Sequence, residues 1–327
     1  FKNDHGKLEN VTAQTGISNQ TGWWNSITAG DFDNDGDIDY IVGNVGGNSF
    51  YRASAKYPVN IYAKDFDNNG RLEAIPTVFL NDQNGQKKEF TAQNRDEIVE
   101  QLPLLKKKFL KYKTFATADI HTIFSDEELA GALHLQANNF NTCFIKNIGN
   151  GKFEMHALPA MAQLAPVFGM VTDDFNNDGN IDVALSANDF GNEVTNGKFD
   201  TMNGLILLGD GKGNFIPQSI FQSGFFLPGD AKALIKLRSA DGHYLLAASQ
   251  NRGPLIIFKQ KINEKNVPLK SNDKTVFIHL KNGLTRKEEV YHGTSFLSQS
   301  SLFVAVNDQV KAVDIINNKG EKRTLNF

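Results

Sequence analysis

Asp31-Phe32-Asp33-Asn34-Asp35-Gly36-Asp37-Ile38-Asp39 is the stretch on which the fold turns. Its pattern returns as Asp65-Phe66-Asp67-Asn68-Asn69-Gly70-Arg71-Leu72-Glu73 and as Asp174-Phe175-Asn176-Asn177-Asp178-Gly179-Asn180-Ile181-Asp182. Oxygen-bearing side chains occupy the first, third, fifth and ninth places of each copy, where they can converge on one hard cation. These are Asp31, Asp33, Asp35 and Asp39; then Asp65, Asp67, Asn69 and Glu73; then Asp174, Asn176, Asp178 and Asp182. The seventh place varies in charge (Asp37, Arg71, Asn180), which suits a ligand that binds through its backbone carbonyl. Glycine at the sixth place lets the chain turn sharply with positive φ. Phenylalanine at the second place and Ile or Leu at the eighth are expected to point inward and pin the loop to a core. Four carboxylates within nine residues, at Asp31, Asp33, Asp35 and Asp39, would repel one another without a cation, and bound Ca²⁺ removes that cost. The first copy is expected to bind most tightly, because each of the others replaces one acid with Asn.

An EF-hand would need Glu at the twelfth place and flanking helices. The residues there are Val42, Pro76 and Leu185, and the flanks alternate as strands do: Asn25 to Gly30 before the first copy, Tyr40 to Gly43 after it. Each copy is therefore expected inside a strand–loop–strand hairpin. The loops resemble the DxDxDGxxD calcium loops of FG-GAP and VCBS repeats, the units of integrin-α-like β-propellers. The hairpins Phe144–Phe153 and Leu207–Phe215 share the resemblance, and the opening Phe1–Leu8 reads as a third such hairpin. The segments His292–Ser301 and Val313–Gly320 resemble the end of an ASPIC/UnbV module. The resemblance covers most of the chain. It implies an all-β fold of β-propeller blades over residues 1–260, with a small C-terminal β-module over residues 261–327. It also implies a bacterial surface protein, exported and associated with the outer membrane.

Along the chain, residues 1–22 read as the outer hairpin of a blade whose beginning is missing, which favours a longer parent chain. Residues 23–60 start a blade with the first loop, residues 61–162 another with the second, and residues 163–225 form the clearest blade. Residues 226–260 look like a blade that has lost its site: Leu237, Ser239 and Leu245 fall where ligands would stand. An insertion at about residues 91–135 switches to helical period. Ile98, Leu102, Leu105 and Phe109 share a face, Asn94 is a possible N-cap, Pro103 should split the helix, and Ser125–Glu128 is a capping box. Its cluster Lys106, Lys107, Lys108, Lys111 and Lys113 reads first as a solvated face, with contact to an anionic partner or lipid headgroups as the sharper alternative. Residues 261–270 look like a linker, followed by short strands at 276–280, 301–306 and 311–316.

The 327 residues are 40% hydrophobic and 22% charged with net charge −3, so neither disorder nor nucleic acid as a partner is indicated. No apolar run reaches the length of a spanning helix, and no signal peptide is evident, so a mature or trimmed chain is expected. The single Cys143 reads as buried and inert. The seven histidines lack metal spacing, Ser295 to Ser301 form no nucleophile elbow, and no P-loop is present. Of the adjacent Trp23 and Trp24, alternation puts one in the core; packing alone is the first reading, with the other on a face that stacks on a sugar or grips a peptide as the sharper alternative. These readings lead to a calcium-stabilised binding or scaffold module for a protein or glycan ligand, with no catalytic residues and about three Ca²⁺ sites. An accessory subunit of a SusC/SusD-type outer-membrane nutrient-uptake complex, partnering its transporter, is the first alternative. A polysaccharide-active enzyme is the second.

Overall fold

The computed structural model describes residues 1–193, 197–261 and 265–327. The chain is all-β, built of antiparallel sheets with six short α-helices among the described residues. It divides into two compact units, one of Phe1–Ser18, Trp24–Ser49 and Asn141–Phe327, the other of Asn19–Trp23 and Phe50–Phe140.

In the larger unit two four-stranded meanders carry the first and third acidic loops. The first sheet runs Ser26–Gly30, Asp39–Gly43, Cys143–Asn147, Phe153–Ala157, and the second runs Val167–Asp173, Asp182–Ala187, Leu205–Gly209, Phe215–Gln218. A third, three-stranded sheet follows the same order with Ala231–Arg238, Tyr244–Gln250 and Ile256–Lys259, its first turn keeping Asp241 as its one acid. The first strands of these sheets lie side by side. Glycine permits the close approach: a Cβ on Gly43 would lie 2.5 Å from the Val167 carbonyl oxygen, and one on Gly169 would lie 2.6 Å from the Leu234 nitrogen. Strand Asp182–Ala187 is buried along its whole length, which is why it reads as a continuous small and apolar run rather than an alternating one. Phe32, Phe144 and Phe215 meet edge to face at 5.6–5.9 Å in the core shared by the first two sheets.

The opening residues form a small hairpin, Lys2–Asp4 with Lys7–Glu9. The C-terminal residues form a four-stranded sheet in the order Thr285–Glu289, Asp273–Leu280, Val310–Asn317, Lys322–Asn326. Of the expected linker 261–270, residues 262–264 lie outside the described residues, and Lys265–Pro268 is a strand paired with Phe303–Val306. The Ser-rich stretch ties this region to the second and third sheets. Ser295 Oγ accepts from the Met170 N–H and donates to the Phe168 carbonyl, and Ser300 Oγ accepts from the Lys236 N–H.

The smaller unit holds the second loop in a sheet ordered Lys87–Thr91, Glu73–Asn81, Val59–Lys64, Leu133–Ala137. This order is not a simple meander, because the last strand pairs with the first of the hairpin. Residues 61–162 therefore do not make one blade: Cys143–Asn147 pairs with Asp39–Gly43, so the hairpin 143–157 completes the sheet of the first loop. Asn94 caps helix Arg95–Gln101 reciprocally with Glu97, the helix stops before Pro103, and Ile98, Leu102 and Phe109 are buried with Ile75 of the sheet. Ser125 likewise caps Asp126–Leu129. Neither tryptophan is a core residue: Trp23 is 40% and Trp24 37% exposed, and both precede the first strand of the first sheet. Cys143 is buried.

Candidate metal centre

The three acidic loops adopt one backbone conformation. Asn34, Asn68 and Asn177 at the fourth place have φ of 58°, 58° and 62°, and Gly36, Gly70 and Gly179 at the sixth have φ of 90°, 83° and 94°. Asn and Gly are the residues that enter the left-handed region at low cost, so this alternation is written directly in the sequence. Side chains then brace the turn with the same bonds each time. The first-place carboxylate accepts from the sixth-place N–H: Gly36 to Asp31, Gly70 to Asp65 and Gly179 to Asp174, at 2.8–3.2 Å. The fifth-place oxygen accepts from the seventh-place N–H at 2.8 Å in all three. The ninth-place acid accepts from the second-place N–H: Phe32 to Asp39, Phe66 to Glu73 and Phe175 to Asp182, at 2.8–3.2 Å.

In the first and second sheets the ninth-place acid has a second task. Asp39 accepts from the Asn147 N–H at 2.8 Å and Asp182 from the Gly209 N–H at 2.9 Å, which fastens each loop to the third strand of its sheet. Both acids are fully buried. Burial, opposed by those N–H donors and reinforced by neighbouring acids, pushes each up to about 7. Burial and the nearby Asp35 and Asp33 push Asp31 up to about 6. Carboxyls raised in this way hold a proton to higher pH than solvent-exposed ones do.

The side-chain oxygens of Asp31, Asp33 and Asp35 lie within 4.8 Å of one another, as do those of Asp65, Asp67 and Glu73. A hard cation with oxygen ligands fits that donor chemistry. Asp178 and Asp182 form no such group with Asp174 among the described residues. At the seventh place the Asp37 and Arg71 side chains are exposed, while Asn180 accepts from Asn34 Nδ2 at 3.0 Å and so joins the third loop to the first. The apolar pins hold in two loops: Phe32, Ile38 and Ile181 are buried and Phe175 half-buried. They fail in part in the second, where Phe66 packs on Phe124 but Leu72 is 77% exposed, because the core of that sheet lies under its helices rather than beneath the loop tip.

Cations from elsewhere in the fold reach two of the loops. Lys146 Nζ sits 2.6 Å from Asp33, which raises the pKa of the lysine, and Arg286 Nη1 sits 3.3 Å from Asp174. The sequence pattern reveals neither partner, since each comes from a strand distant in sequence. One local signal does exist: Asp173 doubles the acid only in the third copy, where the first has Gly30 and the second Lys64. No protein-family model, curated protein or solved structure matches this chain. No helix among the described residues is long and apolar enough to cross a membrane.

Proposed function

We propose that the chain is a calcium-stabilised, non-catalytic binding or scaffold module of the cell surface, with propeller-like blades that present a protein or glycan ligand-binding surface. The observation that carries the calcium reading is the repetition of one braced loop three times, with the same donors and acceptors in the same places. Random Asx turns would not reproduce the ninth-place bond to the second-place N–H in every copy. The side-by-side first strands and the glycines that let neighbouring sheets approach support the blade reading. The acids of the repeats are bound up in bracing the turns, which leaves them poorly placed for acid–base chemistry on a substrate. The surface location rests on the resemblance of the loops to repeats of exported proteins.

The test is thermal melting of chelator-treated protein with and without millimolar Ca²⁺. An ion bound only by the folded state adds about 2.7 kcal/mol per site at one hundred times its Kd. The expected result is a melting point raised by roughly 4–12 °C for one to three sites, at about 1.5 °C per kcal/mol for 327 residues. Superimposable melts with and without calcium would overturn the reading.

A further inference from the structure

The third loop shares the backbone of the first and differs in its source of positive charge. Arg286, on strand Thr285–Glu289, is 3% exposed. Its Nη1 lies 3.3 Å from Asp174, and its Nη2 lies 3.0 Å from Glu288 and 3.8 Å from Asp173. Lys236 Nζ adds a second cation 3.1 Å from Asp173. Within the loop, Asn176 Nδ2 donates to the Asp178 carboxylate at 2.9 Å, so a neutral amide satisfies the fifth-place acid. The first loop is built otherwise. Its nearby cations are lysines: Lys146, whose side chain is 36% exposed on a flexible stem and can swing into water when an ion arrives, and Lys287, whose Nζ bonds the Gly36 carbonyl at 2.7 Å rather than a carboxylate. Arg286 has no such exit, because it is enclosed among three carboxylates and its planar guanidinium keeps its charge at any physiological pH. A divalent ion at the first-place carboxylate of the third loop would face a fixed like charge.

We propose that Arg286 is the resident cation of the third loop, so that this loop takes no calcium and the chain binds Ca²⁺ at the first and second loops only. The inference rests on the calcium reading of those two loops. Isothermal titration of chelator-treated protein with CaCl₂ tests it. Wild type is expected to bind two ions, Asp174→Asn still two, and Asp31→Asn one. Arg286→Met, which strips the guanidinium from Asp174 and Glu288 while Lys236 still pairs with Asp173, is expected to bind three. Three ions in wild type, a site lost in Asp174→Asn, or two ions in a folded Arg286→Met would overturn the inference and leave the calcium reading intact. If Arg286→Met fails to fold, the wild-type and Asp174→Asn counts decide. No binding by wild type would overturn the calcium reading and this inference with it.

A second, independent observation lies in the smaller unit. Residues 101–118 contain five lysines and no acid, in a chain of net charge −3. Lys106, Lys107, Lys111 and Lys113 are exposed, and none forms an ion pair among the described residues. Between and beside them Leu104 is 64%, Leu110 78% and Tyr112 62% exposed, while Leu102 and Phe109 anchor the segment below. Cationic heads interleaved with protruding aliphatic side chains match a negatively charged lipid surface, where ammonium groups meet headgroup phosphates and the leucines enter the acyl boundary. We infer that this segment docks the chain on anionic bilayers. Co-sedimentation with phosphatidylglycerol/phosphatidylcholine vesicles tests it. Binding is expected to anionic but not to pure phosphatidylcholine vesicles and to weaken in high salt. It should fall at least tenfold in the quadruple Lys→Gln variant at 106, 107, 111 and 113 and several-fold in Leu104→Ser/Leu110→Ser. Equal binding to both vesicle types, no binding, or unaffected variants would overturn the inference. Capture by immobilised polyglutamate without vesicle binding would overturn it in favour of an acidic polypeptide.

Discussion

The first and third loops have nearly superimposable bonding and unlike electrostatics. In both, an Asn and a Gly turn left-handed, a first-place carboxylate caps the sixth-place N–H, and a buried ninth-place Asp ties the loop to a neighbouring strand. Yet the first clusters Asp31, Asp33 and Asp35 beside the half-buried Lys146, while the third sets a buried guanidinium against its first acid. The geometry of the turn is thus a local property of Asx and Gly chemistry. The origin of the neutralising charge is a tertiary property, decided by which strand packs alongside. Strand Thr285–Glu289 makes the point within two residues: Arg286 reaches the third loop, and Lys287 Nζ donates to the Gly36 carbonyl of the first at 2.7 Å.

The largest effect expected is from truncating the ninth-place acids. Asp39→Ala and Asp182→Ala each leave two backbone N–H groups without their acceptor, at about 2–4 kcal/mol. The comparison predicts a reversal of rank. With saturating calcium Asp39→Ala is the more damaging, because it also loses an ion. In chelator it is the milder, because it relieves repulsion that Arg286 partly relieves in the third loop. Denaturant unfolding in both buffers checks this, and equal losses in both would erase the distinction between the loops.

Next in size is the response to pH. Asp31 at about 6 and Asp39 and Asp182 at about 7 hold protons more tightly folded than unfolded, where such groups have 3.8. Their contribution to stability in calcium-free protein is therefore full below about pH 4 and lost as pH rises through 6 to 7. Asp273, bound by Arg323, and Asp314, bound by Lys322, are held below the ordinary carboxylate range and oppose this only at the acid end. Protons and Ca²⁺ compete for Asp31 and Asp39, so calcium affinity should rise over the same interval. Melting points from pH 5 to 8 should fall in chelator and rise in calcium. Parallel profiles would contradict a proton-for-calcium exchange.

The smallest effect is at Lys146. Its ammonium occupies Asp33 in competition with an ion, so Lys146→Met should tighten the first site a few-fold, measured by titration, with under about 1 kcal/mol change in calcium-free stability. A weakened site would mean that Lys146 positions Asp33 instead.

The loops were legible because their chemistry is local. Alternating oxygens, an Asn–x–Gly turn and flanking alternation predict a braced hairpin, and the N-cap at Asn94 and the capping box at Ser125 were readable for the same reason. Strand partnership was not. Hairpin 143–157 follows the second loop in sequence but pairs with the strand after the first, across an inserted sheet, and nothing in residues 44–142 announces that return. Leu72 reads as a pin because it aligns with Ile38 and Ile181, but its burial depends on what lies beneath the loop, which alignment does not carry. Arg286 was invisible for a like reason, except that the extra acid at Asp173 called for a cation somewhere.

The most direct test of calcium as the organising ion is anomalous diffraction from crystals grown in Ca²⁺. The account predicts a peak in the first loop with oxygens of Asp31, Asp33, Asp35 and Asp39 and the Asp37 carbonyl at about 2.3–2.6 Å, a second among Asp65, Asp67 and Glu73, and none beside Asp174. Loops without anomalous density in saturating calcium would contradict it.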